Sequence, residues 1–150
     1  MNKMLYDLMD WAGIEEMVYS EARHPENLLG AHVVDGVLVQ AFIPTAESIE
    51  VKMGSGTYQM EMADEEGFFA VLIPRKTIAP YTLRITYDNE TKAEIRDPYS
   101  FSNQITEQEL KKFDAGVNYE VYKKLGAHPM TVDGVKGVLF AVWAPCAMRV

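Results

Sequence analysis

Carboxylates are the commonest reactive groups in this sequence, and neighbours such as Glu65-Glu66 and Glu107/Glu109 have the composition of a general acid–base couple. That chemistry needs a cleft and two carboxyls whose proton affinities are driven apart. With 22 acidic residues among 150, close pairs arise from composition alone, and these are read as solvated surface. His24, His32 and His128 have no cysteine partner and no metal-ligand spacing, so no metal site is expected. Cys146, the single cysteine, has neither a nearby histidine nor a helix start to activate it and is read as a small strand-end residue. Gly54-Ser55-Gly56 lacks the third glycine and the following helix of a phosphate cradle, so it is read as a hairpin turn. Asn89-Glu90-Thr91 has the form of a glycosylation sequon but the composition of a turn. No catalytic residue and no cofactor are assigned.

The elements around these groups fall into two periods. Met4, Leu5, Leu8, Trp11 and Ala12 recur at helical spacing, which predicts a lead helix, interrupted at Gly13, and a second short helix over Ile14–Ala22. Pro25 stops it. From Val37 to Arg96 the period becomes two. Ser48–Met53 and Tyr81–Tyr87 alternate polar and apolar residues without a fault. Val37–Ile43, Tyr58–Met62, Phe68–Ile73 and Lys92–Arg96 complete six short strands, each bounded by a turn signal. With no long helix between them, they predict an antiparallel sandwich rather than a parallel sheet. Thr106-Glu107-Gln108-Glu109 is a capping-box pattern that opens a linker helix carrying Leu110 and Phe113, and Asp114-Ala115-Gly116 ends it.

The formal net charge of −8 opposes a nucleic-acid or anionic-membrane partner, since both require a basic face. The longest apolar run, Val138 to Pro145, is too short to span a bilayer. Asp7, Asp10, Glu15 and Glu16 occupy the place of a signal peptide's apolar stretch, and a cytoplasmic protein is expected.

The sequence also repeats itself. Leu29-Gly30-Ala31-His32 recurs as Leu125-Gly126-Ala127-His128, Asp35-Gly36 as Asp133-Gly134, and Val37-Leu38 as Val138-Leu139. Phe42-Ile43-Pro44 with Ala46 recurs as Trp143-Ala144-Pro145 with Ala147. The drift in offset places a five-residue insertion around Thr131 to Gly137. Four blocks in one order indicate two copies of a sandwich. The expected organisation is a helical lead (1–23), a first β-sandwich (24–104), a linker helix and connector (105–124), and the start of a truncated second sandwich (125–150). That second part would hold two strands, Val138–Ala144 and a stub at Met148–Val150. Residues 129–150 are expected to pair with the first sandwich or with another copy of the chain, or to be poorly ordered; a homo-oligomer through this tail would follow.

Four segments carry a family resemblance: HPENLLGAH (24–32), IRDPYSF (95–101), YKKLGAHP (122–129) and GVLFAVWAP (137–145). In that order the chain resembles the amino-terminal region of bacterial 1,4-α-glucan (glycogen) branching enzymes over residues 23–150. It departs from the family pattern at Gly116-Val117-Asn118, where G-T-H is common. The resemblance implies an all-β fold: an immunoglobulin-like antiparallel β-sandwich with a helical lead and a linker helix, followed by the truncated second, starch-binding-like module. It implies a non-catalytic segment that positions glucan or braces the next domain. The parent would be a glycosyltransferase that moves α-1,4 chains to 6-hydroxyls by retaining chemistry, with both carboxylates on a barrel absent from these residues. Partners would be α-glucan chains and the rest of the parent enzyme. The alternatives are a free-standing glucan-binding or regulatory module and a structural immunoglobulin-like interaction domain.

Sugar binding on a sandwich relies on exposed aromatic faces that stack on pyranose rings. Tyr81 and Tyr87 share a face with Leu83 and Ile85 and read as core. Phe68 and Phe69 are adjacent, so one must turn away from the core. Phe68 and Tyr58 are the candidate carbohydrate contacts. The tryptophan platform of such modules follows the second strand, and the corresponding Lys52–Thr57 contains no tryptophan, which predicts little retention on amylopectin.

Overall fold

The computed structural model describes residues 3–147, which divide into two compact units, one ending at Ser100 and one beginning at Phe101. In the first unit, α1 (Lys3–Leu8) and α2 (Trp11–Val18) precede eight strands: β1 (Gly30–Val34), β2 (Gly36–Phe42), β3 (Ala46–Met53), β4 (Gly56–Gln59), β5 (Glu61–Asp64), β6 (Phe68–Ile73), β7 (Tyr81–Tyr87) and β8 (Lys92–Arg96). They form two four-stranded antiparallel sheets, in the orders β1-β2-β6-β5 and β4-β3-β7-β8. The all-β antiparallel sandwich expected from the alternating strands is what the chain forms.

The two sheets differ because their outer faces differ. On β3 and β7, Ile49, Val51, Met53, Leu83 and Ile85 point into the sandwich core, while Glu50, Lys52 and Arg84 face outward, so the sequence alternates. On β2 and β6 both faces are covered. Val37, Val39, Phe69 and Ile73 enter the sandwich core, whereas Leu38, Phe68 and Ala70 enter a second core with Leu5, Met9 and Ile14 of the helical lead. Doubly covered strands read as continuous apolar runs. Burying one large apolar side chain here stabilises by about 1.5–3 kcal/mol, which is why short helices of marginal intrinsic stability hold on this sheet.

Three sequence expectations need correction. The break between α1 and α2 falls at Asp10, not Gly13: the Asp10 carboxylate accepts the Gly13 N–H at 3.1 Å and caps α2. Gly13 lies inside that helix, where a Cβ would come within 2.7 Å of Asp10 Oδ2. The single strand expected over Tyr58–Met62 is two, because the chain leaves β4 on one sheet and enters β5 on the other, with buried Met60 at the crossing. β1 has no alternation that would predict it, since the adjacent Val33 and Val34 are both exposed.

In the second unit, Thr106 opens α3 (Glu107–Asp114) with a capping box. Its hydroxyl accepts the Glu109 N–H at 3.3 Å and its own N–H donates to Glu109 Oε2 at 2.9 Å. A 3₁₀ turn (Val121–Lys123) leads to β9 (Gly126–Val132) and β10 (Val135–Ala141), which pair antiparallel. The strand expected over Val138–Ala144 therefore starts and ends earlier, and the pairing expected with the first sandwich or another copy is corrected: it pairs with Gly126–Val132 in a two-stranded sheet of its own. The stub expected at Met148–Val150 lies outside the described residues.

The repeat is visible in the backbone. A 3₁₀ turn precedes a hairpin in both places, Pro25–Asn27 before β1–β2 and Val121–Lys123 before β9–β10. The first strand opens on a glycine of positive φ, 93° at Gly30 and 99° at Gly126. His32 Nε2 lies 3.0 Å from the Leu29 carbonyl oxygen, and His128 Nε2 lies 2.8 Å from that of Leu125. A carbonyl only accepts, so each imidazole donates and closes its turn. His32 pairs with Leu38 and His128 with Leu139. The second hairpin has seven residue pairs against five and two loop residues against one. Two more paired residues on each side of the hairpin and one more in the loop make up the five-residue insertion.

Candidate functional site

Of the carboxylates singled out by spacing, that of Glu109 has structural partners. Glu66 lies in an exposed turn and donates its N–H to Asp64 Oδ1 at 2.9 Å. Glu109 serves the capping box and lies 3.3 Å from Lys124 Nζ; the Thr106 N–H, first among several donors, lowers its pKa. On the outer face of the β3–β7–β8 sheet, Glu94 accepts from Thr82 Oγ1 at 2.9 Å and from Arg84 Nε at 3.0 Å. The Thr82 hydroxyl is the main cause of its lowered pKa, with Arg84 next. Among the described residues no group of three His, Cys, Asp or Glu side chains could hold a metal ion. Gly54 and Ser55 form the two-residue loop of the β3–β4 hairpin, and Gly54, at φ 61°, takes the first central position that such a turn gives to glycine. Asn89 Oδ1 accepts from the Thr91 N–H and hydroxyl, which closes the turn at the sequon. Cys146 is exposed in a turn beyond β10.

The two aromatic candidates are not brought together. Phe68 turns away from the sandwich core as its adjacency to Phe69 required, but it enters the second core under the helices and is 0% exposed. Its ring stacks near Phe42, with centroids 6.4 Å apart. The expectation that Phe68 offers a face to a sugar is therefore corrected: the helical lead covers that side of the sheet. Tyr58 lies on β4 opposite Val51, half-buried against the core at the edge of its sheet.

The most organised polar site in this unit is at the exit of the sandwich. Asp97 is 2% exposed. Its Oδ2 accepts from the Tyr81 hydroxyl at 2.6 Å and its Oδ1 from the Tyr99 N–H at 2.9 Å. Ser100 Oγ donates to the Asp97 carbonyl at 2.7 Å and accepts from Arg96 Nε at 3.2 Å. Burial, then the bond to Asp97, push the Tyr81 pKa far up, so this phenol is a fixed donor rather than a base. Tyr99 packs on β1, where a Cβ at Gly30 would come within 2.9 Å of Tyr99 Cβ. The Asp97-Pro98-Tyr99 motif thus ties the end of β8 to β7 and to the first hairpin. The alternation of Tyr81–Tyr87 places Tyr81 in the core, but its hydrogen bond to Asp97 is not legible in the sequence, because nothing local links positions sixteen apart.

A sequence model described as the N-terminal domain of alpha-1,4-glucan branching enzyme GlgB matches residues 10–99, from the cap of α2 to Tyr99. The chain is 36% identical over 146 residues to 1,4-alpha-glucan branching enzyme GlgB of Synechocystis sp., covering 91% of this chain and 19% of that protein. It is 41% identical over 130 residues to the protein of the same name from Thiobacillus denitrificans, covering 84% and 17%. With GlgB 1 of Streptomyces coelicolor it shares 36% over 143 residues, covering 94% and 18%. The chain spans less than a fifth of the length of these relatives. By the match that runs through both sheets of the sandwich, the chain belongs to the family of GlgB branching-enzyme N-terminal domains.

Proposed function

We propose that this chain serves, without catalysing, a glycogen branching enzyme that transfers α-1,4-glucan chains to 6-hydroxyls in the cytoplasm. Its part is to position glucan for a catalytic domain elsewhere. The family match over residues 10–99 carries this reading. The structural duties of the Glu94 and Glu109 carboxylates support a non-catalytic role. Contact with glucan is weak and lateral, and Tyr58 at the sheet edge is the aromatic contact proposed for it. Electrophoresis through gels with and without amylopectin tests this reading. Slight retardation, reduced further in Tyr58→Ala, is expected. Strong retardation unaffected by that change would overturn the role given to Tyr58, and none at all would overturn glucan positioning.

A bracing role is the second reading, favoured by the exposed apolar side chains of the second unit. Val138, Phe140, Val142 and Trp143 are each about half or more exposed, a concentration that marks a protein-contact surface. The proposed occupant is the remainder of the parent enzyme, and self-association through this hairpin is the competing outcome. Sedimentation of the chain across a concentration series separates the two: a monomer at all concentrations supports bracing, and a concentration-dependent dimer abolished by Phe140→Ser supports self-association.

A further inference from the structure

A cleft of about 1060 Å³ opens between α2, the loop that follows it, and the first hairpin. Its floor is the outer face of β2, where Gln40 interrupts an apolar strand. Gln40 is 3% exposed. Its Nε2 donates to the Leu28 carbonyl oxygen at 2.7 Å, and since that oxygen only accepts, the amide cannot be turned the other way. Oε1 is then an acceptor that is buried and has no hydrogen-bond partner among the described residues. A buried, unpaired acceptor is costly and uncommon in a folded protein, and here it belongs to a residue that lines an open cleft.

The surroundings narrow the ligand. Asp10, Glu16 and Glu21 line the cleft against one guanidinium, that of Arg23, so an anion is disfavoured and a donor of neutral hydroxyl hydrogens is favoured. Leu8, Met17 and Leu38 supply apolar wall for the C–H face of a ring. The volume lies just above the range of about 300–1,000 Å³ typical of ligand sites, which suits a chain of several sugar units better than a single small metabolite. We infer that this cleft binds a neutral, hydroxyl-rich chain, a short α-1,4-glucan, whose entry parts the side chains over Gln40 so that a sugar hydroxyl donates to its Oε1, buried in the free chain. The inference rests on the glucan reading proposed above and gives it a location away from Tyr58.

The test is a titration of the full chain with maltoheptaose, up to about 10 mM to reach millimolar affinities, followed by amide NMR. Saturable shifts are expected at Gly13, Asn27, His32 and Gln40. Ala22→Trp, which plugs the loop side of the cleft, should weaken binding at least about tenfold, and Gln40→Met about fivefold. Should Gln40→Met fail to fold, Ala22→Trp at the partly exposed rim still decides. Shifts confined to the surroundings of Tyr58, with the cleft amides silent, overturn the cleft and keep the glucan reading. Binding unchanged in Ala22→Trp overturns the cleft as well. No shift anywhere overturns both.

Discussion

Tyr81→Phe removes one oxygen from the centre of the sandwich exit and leaves the ring in place. The lost hydrogen bond is 2.6 Å long and joins two buried groups, Tyr81 at 5% and Asp97 at 2% exposure. The phenyl ring still fills its site, so no cavity forms, and the cost is that of a hydrogen bond to a carboxylate, about 1.5–3 kcal/mol. Asp97 keeps the Tyr99 N–H, which places the expectation near the middle, about 2 kcal/mol. In thermal unfolding that is a fall in Tm of about 4–8 °C for a chain of this size. In urea the midpoint should move and the slope should not. The same bond makes a pH signature. Burial and Asp97 raise the Tyr81 pKa above its ordinary value, so above about pH 10 the unfolded chain releases this proton while the native chain keeps it. The native state then holds more protons, and stability falls as pH rises, by up to about 1.4 kcal/mol per unit from this group. Tyr81→Phe lacks that contribution, so its deficit against the wild type should shrink by about 1 kcal/mol between about pH 8 and pH 11. A variant within about 0.5 kcal/mol of wild type, the range of ordinary surface changes, would refute the latch. A deficit constant across that pH range would refute the assignment of Tyr81 as its proton-retaining member.

Phe68→Ala should cost about 3–5 kcal/mol in denaturant unfolding, while Phe68→Leu should fold and leave maltoheptaose binding unchanged; weakened binding in the folded variant would return Phe68 to the sugar. His32→Ala removes a turn-closing bond and should cost about 1 kcal/mol by the same measurement, with loss of protection at the Leu29–Gly30 amides in hydrogen exchange. Thr106→Ala should lower stability of the second unit by about 1 kcal/mol, seen as faster amide exchange across Glu107–Asp114.

What the sequence disclosed follows from what each strand touches. The sheet with one wet face announced itself: Ser48–Met53 and Tyr81–Tyr87 alternate because Glu50, Lys52 and Arg84 meet water. The sheet under the helices did not. Its outer residues Leu38, Phe68 and Ala70 are apolar because α1 and α2 lie on them, and a period-two reading takes such residues for exposed or ambiguous. Phe68 reads as outward-facing for that reason, and its adjacency with Phe69 requires the opposite directions that the two rings take. The change of sheet at Met60 leaves no mark, since the residues on both sides remain strand-like. Gly13 looked like the helix break, but a glycine there accommodates the side chain of Asp10, the actual cap. The repeated blocks are legible in the sequence and fall at matching places in the two hairpins, His32 opposite Leu38 and His128 opposite Leu139, while the strand bounds are not. Gln40 is the one polar side chain within the apolar run of β2; its meaning depends on Leu28 and α2, which only the fold brings near.

The central claim is that this chain handles α-glucan without performing chemistry on it. One experiment reads both halves: saturation-transfer NMR on maltoheptaose mixed with the chain, with the sugar anomeric region followed over time. The account predicts transfer of saturation to the sugar protons and no growth of an α-1,6 anomeric signal. Sugar protons that receive nothing, or a rising α-1,6 signal, would contradict it.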